Sequence, residues 1–433
     1  MPGSSRNLNR RDFLKLSVAV TAYPALLSGC GFKEIRKLGA DNPGATPAHL
    51  KIVEFYSQKI LIGPPPSQEL LELIVHLYTP EEAEIAQYLP LIYGKTAGSV
   101  ARQAKRPLEE VTAILHRLAN EKRALIVFGK GEPEKILSYL SNHRDNPLTF
   151  TAPEEPLRYG LMPIVPGTFE MVMMKGNDDE WHRRFGQLFE KVYSTGYLVN
   201  YLDKPIPLIR YIPVYETIDA VPAALPSDLL TDMLRENSKF GVGICQCRQS
   251  QAYSGHDCGL PRETCMSIGP FAEFMLSRNN QRRVDRSEAL DIKMKANAAG
   301  LATFSINVDF SLANYTCSCC GCCCLILRTI SKFNAPALIA PPHFRPQRNE
   351  STCIRCGLCQ QKCPMKAQVL GEKGWEYRRE RCIGCGVCAS LCPAKALSMQ
   401  PVKNYRRPPA NLFSLGLTMG PGYARYLLAS ATR

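Results

Sequence analysis

Cys353-Ile-Arg-Cys356-Gly-Leu-Cys359-Gln-Gln-Lys-Cys363-Pro364 is followed by Cys382-Ile-Gly-Cys385-Gly-Val-Cys388-Ala-Ser-Leu-Cys392-Pro393. Every cysteine recurs 29 positions later, as do Gly357 at Gly386 and Lys366-Ala367 at Lys395-Ala396. The pattern is an internal duplication, one small unit copied once. Three closely spaced cysteines wrap a loop round one face of an inorganic body, with backbone amides aimed at the same body. The fourth lies beyond a short helical turn. Gly357 and Gly386 allow the tight loop turns, and Pro364 and Pro393 close each run. Paired zinc knuckles would not require both runs to end in Cys-Pro in the same register.

The double run resembles the bacterial two-cluster ferredoxins. That resemblance implies two 4Fe–4S clusters whose fourth ligands are exchanged between the halves. Cluster one would take Cys353, Cys356, Cys359 and Cys392; cluster two would take Cys382, Cys385, Cys388 and Cys363. From Arg345 to Arg407 there are 13 basic and 4 acidic residues, a formal +9 before the clusters are counted. Many soluble ferredoxins are acidic, so a different docking partner is expected. Nearby positive charge also stabilises a reduced cluster and raises its potential.

Upstream, Phe240-Gly-Val-Gly-Ile-Cys245-Gln-Cys247-Arg248 opens a second cysteine-rich block, continued by Cys258 and Cys265. A helical stretch from Ser287 to Gly300 and a strand from Leu301 to Val308 lead to Cys317-Ser-Cys319-Cys320-Gly-Cys322-Cys323-Cys324. These ten cysteines fall in two groups able to close on one another. Successive side chains in extended backbone point opposite ways, so Cys322, Cys323 and Cys324 are not expected to share one ion. Helix Leu325 to Phe333 follows, where first-turn N–H groups favour a thiolate. Cys245, Cys247, Cys319 and Cys320 are the candidate inner ligands, with Cys258, Cys265, Cys317 and Cys322 completing the site. A further iron–sulfur cluster, zinc and redox-active thiols all remain open, because spacing does not separate them. The block resembles a Cys-x-Cys-Arg and Cys-x-Cys-Cys-x-Cys-Cys module that precedes dicluster ferredoxin domains in some bacterial iron–sulfur proteins.

The chain begins with an address. Asn9-Arg10-Arg11-Asp12-Phe13-Leu14-Lys15, followed by an apolar stretch from Leu16 to Leu27, resembles a twin-arginine export signal. That stretch falls short of the roughly 20 residues of a membrane span. It ends in Leu27-Ser28-Gly29-Cys30, similar to a lipobox, which makes Cys30 the expected lipid anchor. Twin-arginine systems carry folded, cofactor-loaded cargo, which suits a protein whose clusters are assembled inside the cell. Residues 30–66, with Pro43, Pro47 and Pro64-Pro65-Pro66, read as a partly extended tether.

Residues 67–131 resemble a winged helix-turn-helix. Leu70, Leu71, Ile74 and Leu77 repeat at helical spacing, Thr79-Pro80-Glu81-Glu82 starts a helix, and Arg123 to Gly131 reads as a strand and glycine turn. Arg102, Lys105, Arg106, Arg117 and Lys130 are available to phosphates. An exported protein meets no genomic DNA, however, so nucleic acid is not the expected partner. Residues 132–226 carry no phosphate loop, nucleotide fingerprint or hydrolase triad; within them Ile206 to Tyr215, interrupted by prolines, suggests an edge strand.

The totals agree with this division. The chain has 433 residues, 45% hydrophobic and 21% charged, which is globular composition with room for several cores. Eighteen of its 19 cysteines lie between Cys245 and Cys392, as metal ligands would. The formal charge of +14 favours acidic partners, an anionic membrane surface or nucleic acid, and does not choose among them. The expected fold class is α+β multidomain: a winged-helix-like N-terminal module, a Cys-rich α/β middle at 227–341, a dicluster ferredoxin-like domain at 342–403 and a basic tail at 404–433. The expected function is one-electron transfer by an exported, membrane-anchored redox subunit on the periplasmic side, serving a redox partner protein or membrane complex. The alternatives are an oxidoreductase with a catalytic metal centre in the middle block, and a cytoplasmic cluster-sensing DNA-binding regulator.

Overall fold

The structure, a computed structural model, describes residues 42–58, 63–90, 94–135, 149–198, 207–309, 315–333, 339–372 and 374–410, with Ile35, 37–39 and Leu415. The stretch resembling an export signal, Cys30 and most of the basic tail lie outside the described residues. The chain forms two compact units of mixed helix and strand; the first reaches Leu148 and takes back Pro156–Val165, and the second holds Thr149–Glu155 and Pro166 onward.

The first unit opens with α1 (Pro47–Tyr56), inside the stretch expected to be a tether. The reason is local. Pro47 occupies the helix start, where its missing N–H costs nothing, and Thr46 accepts from His49 N–H as N-cap. Ile52, Val53 and Tyr56 are buried. His49 Nδ1 accepts from Thr46 N–H at 3.0 Å, leaving Nε2 to donate to the Tyr78 carbonyl at 2.8 Å. Helices α2 (Gln68–Leu77), α3 (Pro80–Ala86), α4 (Ala97–Ala104) and α5 (Leu108–His116) follow. Strand β1 (Leu125–Phe128) then pairs antiparallel with β2 (Arg158–Leu161), Leu125 opposite Leu161. A lone strand leaves its backbone groups unpaired, so the unit recruits β2 from beyond residue 131, past the boundary expected from sequence.

The second unit contains a four-stranded antiparallel sheet ordered β6 (Arg282–Val284), β4 (Phe240–Ile244), β5 (Glu263–Ile268), β8 (Tyr315–Thr316). A three-stranded antiparallel sheet runs β3 (Ile209–Ile212), β7 (Ala302–Ile306), β9 (Ser318–Cys319). β3 lies at the edge, where its flanking prolines leave no interior ladder bond unmade. Helix α6 (Glu180–Ser194) packs on α7 (Gln246–Tyr253), α8 (Arg286–Ala298) packs on strands of both sheets, and α9 (Leu325–Phe333) follows the last of the middle cysteines. A buried ion pair, Arg328 to Glu190 at 2.8 Å, joins α9 to α6.

The duplicated segment is closed by β10 (Phe344–Arg348) pairing with β13 (Leu397–Pro401), and it carries the hairpin β11 (Gln368–Gly371) and β12 (Gly374–Tyr377). Its two short helices are α10 (Leu358–Gln361) and α11 (Val387–Ser390). The sequence repeat is also a backbone repeat. Positive φ recurs at Arg355 (52°) and Gly384 (70°), at Gly357 (76°) and Gly386 (71°), and at Lys366 (52°) and Lys395 (49°). Left-handed backbone is uncommon without glycine, so the arginine and lysines mark turns imposed by the loop. No helix among the described residues is long and apolar enough to cross a membrane.

Candidate metal centres

Two cavities lie in the duplicated segment, each walled by a crossed set of cysteines. One is lined by Cys382, Cys385 and Cys388 together with Cys363 from the other half. The second is lined by Cys353, Cys356 and Cys359 together with Cys392. The helical turn after each loop produces the exchange: Cys363 and Cys392 sit past α10 and α11. There each accepts a backbone N–H, from Ala367 at 3.2 Å and Ala396 at 3.3 Å. Thiolates held by backbone amides in an apolar wall are a donor set that fits an iron–sulfur cubane.

The two environments differ. Cys356 is exposed and Ile354 is 66% exposed at the first quartet, whereas Cys385 and Val387 are buried at the second. Burial pushes the Cys382, Cys385 and Cys388 thiols up. Cys353 is instead held low, by the Arg355 N–H and then by Arg348. The Arg348 guanidinium donates to Cys353 Sγ at 3.3 Å and lies 3.7 Å from Cys359 Sγ, stacked 3.8 Å over the Trp375 ring. A fixed cation thus serves the exposed quartet.

The middle cysteines form two groups, not one. Cys245, Cys247, Cys324, Cys319, Cys317 and Cys265 make a closed ring in which each thiol neighbours the next. Cys265 Sγ and Cys317 Sγ are 3.8 Å apart. Strand and helix ends place them: Cys245 ends β4 and precedes α7, Cys265 lies in β5, Cys319 in β9, and Cys324 precedes α9. Cys245, Cys317 and Cys324 are held low by the S–H groups on either side, and Cys247, Cys265 and Cys319 are pushed up by the same contacts.

Two buried cations face this ring. Lys293, fully buried, donates to the Thr316 carbonyl at 3.1 Å, to Thr316 Oγ1 at 3.2 Å, to Ser318 Oγ at 3.3 Å and to the Thr264 carbonyl at 3.4 Å. Burial pushes its ammonium down to about 8, against the opposing pull of Cys317, Cys265 and Cys319. Arg248, 2% exposed, donates to the Ser318 carbonyl at 2.9 Å and to Thr264 Oγ1. Neither cation pairs with a carboxylate among the described residues.

Cys258, Cys320, Cys322 and Cys323 form the second group, with all four sulfurs within 4.8 Å of one another. Cys322 and Cys323 are 3.7 Å apart. No other His, Cys, Asp or Glu group of three or more among the described residues is drawn together so closely.

This division differs from the expected single site. Of the expected inner ligands, Cys245, Cys247 and Cys319 stand in the ring with Cys265 and Cys317, while Cys320 turns to the tight group with Cys258 and Cys322. Cys323 and Cys324, left out of the expected ligands, belong one to each group. The Cys319–Cys320 and Cys323–Cys324 neighbours serve different groups, whereas the turn at Cys322–Cys323 brings two adjacent thiols into one. The cysteine triplet at the start of α9 was the available signal.

Residues 347–399 match the family model of the 4Fe-4S dicluster domain. No curated protein and no solved structure gives a significant match to the chain. The chain therefore carries an iron–sulfur dicluster domain beside a cysteine-rich site at Cys258–Cys323.

Proposed function

We propose that the protein is a one-electron carrier holding two 4Fe–4S clusters, one in each crossed cysteine quartet. The observation that supports this reading best is that each cavity is walled by three cysteines of one repeat and one of the other. The clusters would supply reversible one-electron chemistry at nearly fixed geometry. The chain's own residues fix the thiolates, shield Cys385 from water and present Cys356 to an outside partner. Basic residues around that edge suit an acidic redox protein or an anionic membrane-bound complex.

The twin-arginine and lipobox resemblances support an exported protein anchored through Cys30, on the outer face of the cytoplasmic membrane. In that setting the helical N-terminal unit serves docking. Two of its candidate phosphate-binding residues are already engaged: Arg106 with Glu84 at 3.2 Å, and Arg117 with Glu82 at 2.8 Å. The test is anaerobic purification with iron and sulfide analysis, redox-titrated EPR and cell fractionation. About eight irons in the dicluster domain and magnetically interacting signals are expected. Reduced protein without a 4Fe–4S signal would overturn the carrier reading, and an Arg10→Lys/Arg11→Lys variant that still leaves the cytoplasm would overturn the export reading.

A further inference from the structure

We infer that the ring of Cys245, Cys247, Cys265, Cys317, Cys319 and Cys324 holds a third iron–sulfur centre, adjoining the Cys363/Cys382/Cys385/Cys388 quartet. Cys258, Cys320, Cys322 and Cys323 hold a single tetrahedral ion. The inference rests on the two-cubane reading of the dicluster domain for the identity of its neighbour.

Size separates the groups. A tetrahedral ion bound at about 2.3 Å to sulfur sets its thiolates about 3.8 Å apart along every edge. The tight group meets that requirement, with all sulfurs within 4.8 Å and the Cys322–Cys323 pair at 3.7 Å. In the ring, by contrast, no three thiols are mutually that close; each contacts its two neighbours. A single ion needs its thiolates mutually close round one point, so six strung in a circuit call for a body of several metal atoms.

Charge agrees. A buried ammonium and a buried guanidinium without carboxylate partners are costly, and an anionic thiolate centre supplies the missing charge. Lys293 and Arg248 are those groups, and Arg248 Nε has no hydrogen-bond partner among the described residues. Placement sets the neighbour. Cys317, Cys319 and Cys324 share one apolar core with Met365, Ile383, Val387, Cys363 and Cys385, whereas no cysteine of the exposed quartet belongs to that core. An electron reaching the ring reduces it by one unit and oxidises its neighbour by one, with no bond made or broken.

The full chain, purified anaerobically, tests this by iron, sulfide and zinc analysis and by EPR of the reduced state. Cys247 and Cys317 are the least buried ring members, so Cys247→Ser/Cys317→Ser is the gentlest disruption. Wild type is expected to hold well over about eight irons per chain, with matching sulfide. The double variant is expected to fall to about eight and keep the dicluster signals, losing only the broadening from the third centre. Cys322→Ser is expected to keep all sulfide and lose about one zinc or one sulfide-free iron. Wild-type iron of about eight, with zinc or nothing in the ring, overturns the proposal while leaving the two-cubane reading intact. Iron unchanged in the double variant overturns it as well. If that variant does not fold, the wild-type iron and sulfide count decides alone. Loss of the dicluster signals in wild type would strike the underlying reading instead.

Discussion

Gly321 stands against Pro364 so closely that a Cβ on the glycine would lie 1.8 Å from the Pro364 carbonyl oxygen. Gly321 lies between Cys320 and Cys322, and Pro364 directly follows Cys363, so this backbone contact joins the tight thiol turn to the dicluster domain. Gly321→Ala must push the two backbones apart. Overpacking of this kind costs roughly 1–3 kcal/mol, and a lower thermal midpoint is expected. The EPR signal of the Cys363-containing quartet should change while that of the exposed quartet stays. Unchanged stability and spectra would show that the contact is not kept in solution.

Arg348 should set the potential of the exposed quartet, since its guanidinium donates to Cys353 Sγ and borders Cys359 Sγ. Loss of one charge-assisted hydrogen bond, about 1.4 kcal/mol for a one-electron couple, corresponds to a fall of about 60 mV. Arg348→Gln is expected to lower one midpoint potential by that order and leave the other in place, as read by redox-titrated EPR. Two midpoints moving together, or neither moving, would refute the assignment.

Those two sites mark how far the sequence could be read. The dicluster domain was legible because its ligands are local: four cysteines and one glycine recur 29 positions later, and the same φ signs recur with them. The exchange of Cys363 and Cys392 follows from a short helical turn, which is also a local feature. The middle site was only half legible. Its six-membered ring is closed across β4, β5, β9 and the starts of α7 and α9, and sequence spacing does not say which strands become neighbours. Cys258 joins Cys320 through an irregular loop, which carries no periodic signal at all. In the first unit, α1 was hidden by proline and glycine neighbours, although Thr46-Pro47 is a sound helix start. The partner of β1 lies beyond a segment with little pattern of its own.

The helical unit should have an acid-sensitive clasp at Glu82. Its side chain is 1% exposed and meets Lys122 Nζ at 2.6 Å, Arg117 Nε at 2.8 Å and Thr79 N–H at 2.8 Å. Burial alone would raise this carboxyl, but the donors, Lys122 first, outweigh it and hold the group below its ordinary range. A lowered folded value gives stability that is full above the unfolded value of about 4.3 and fades as pH falls through the folded one. Glu82→Gln is expected to cost about 1–3 kcal/mol near neutral pH and to flatten the acid limb of the stability profile. A variant retaining the wild-type acid limb would place that sensitivity elsewhere.

Cys363 belongs by sequence to the first repeat and by position to the cavity of the second. The crossed arrangement therefore makes an unusual demand on single variants. Cys363→Ser should disturb the buried centre that Cys382, Cys385 and Cys388 otherwise hold, and leave the Arg348-sensitive midpoint where it was. Cys392→Ser should do the converse, shifting or removing the centre of the exposed quartet. Each loss should also loosen the other site to a lesser degree, because β10 and β13 close both halves into one fold and α10 packs near α11. Iron analysis gives the amount lost, and redox-titrated EPR of each variant, alone and with Arg348→Gln, identifies which centre it was. If Cys363→Ser removes the Arg348-sensitive signal, each repeat ligates its own cluster and the exchange does not occur.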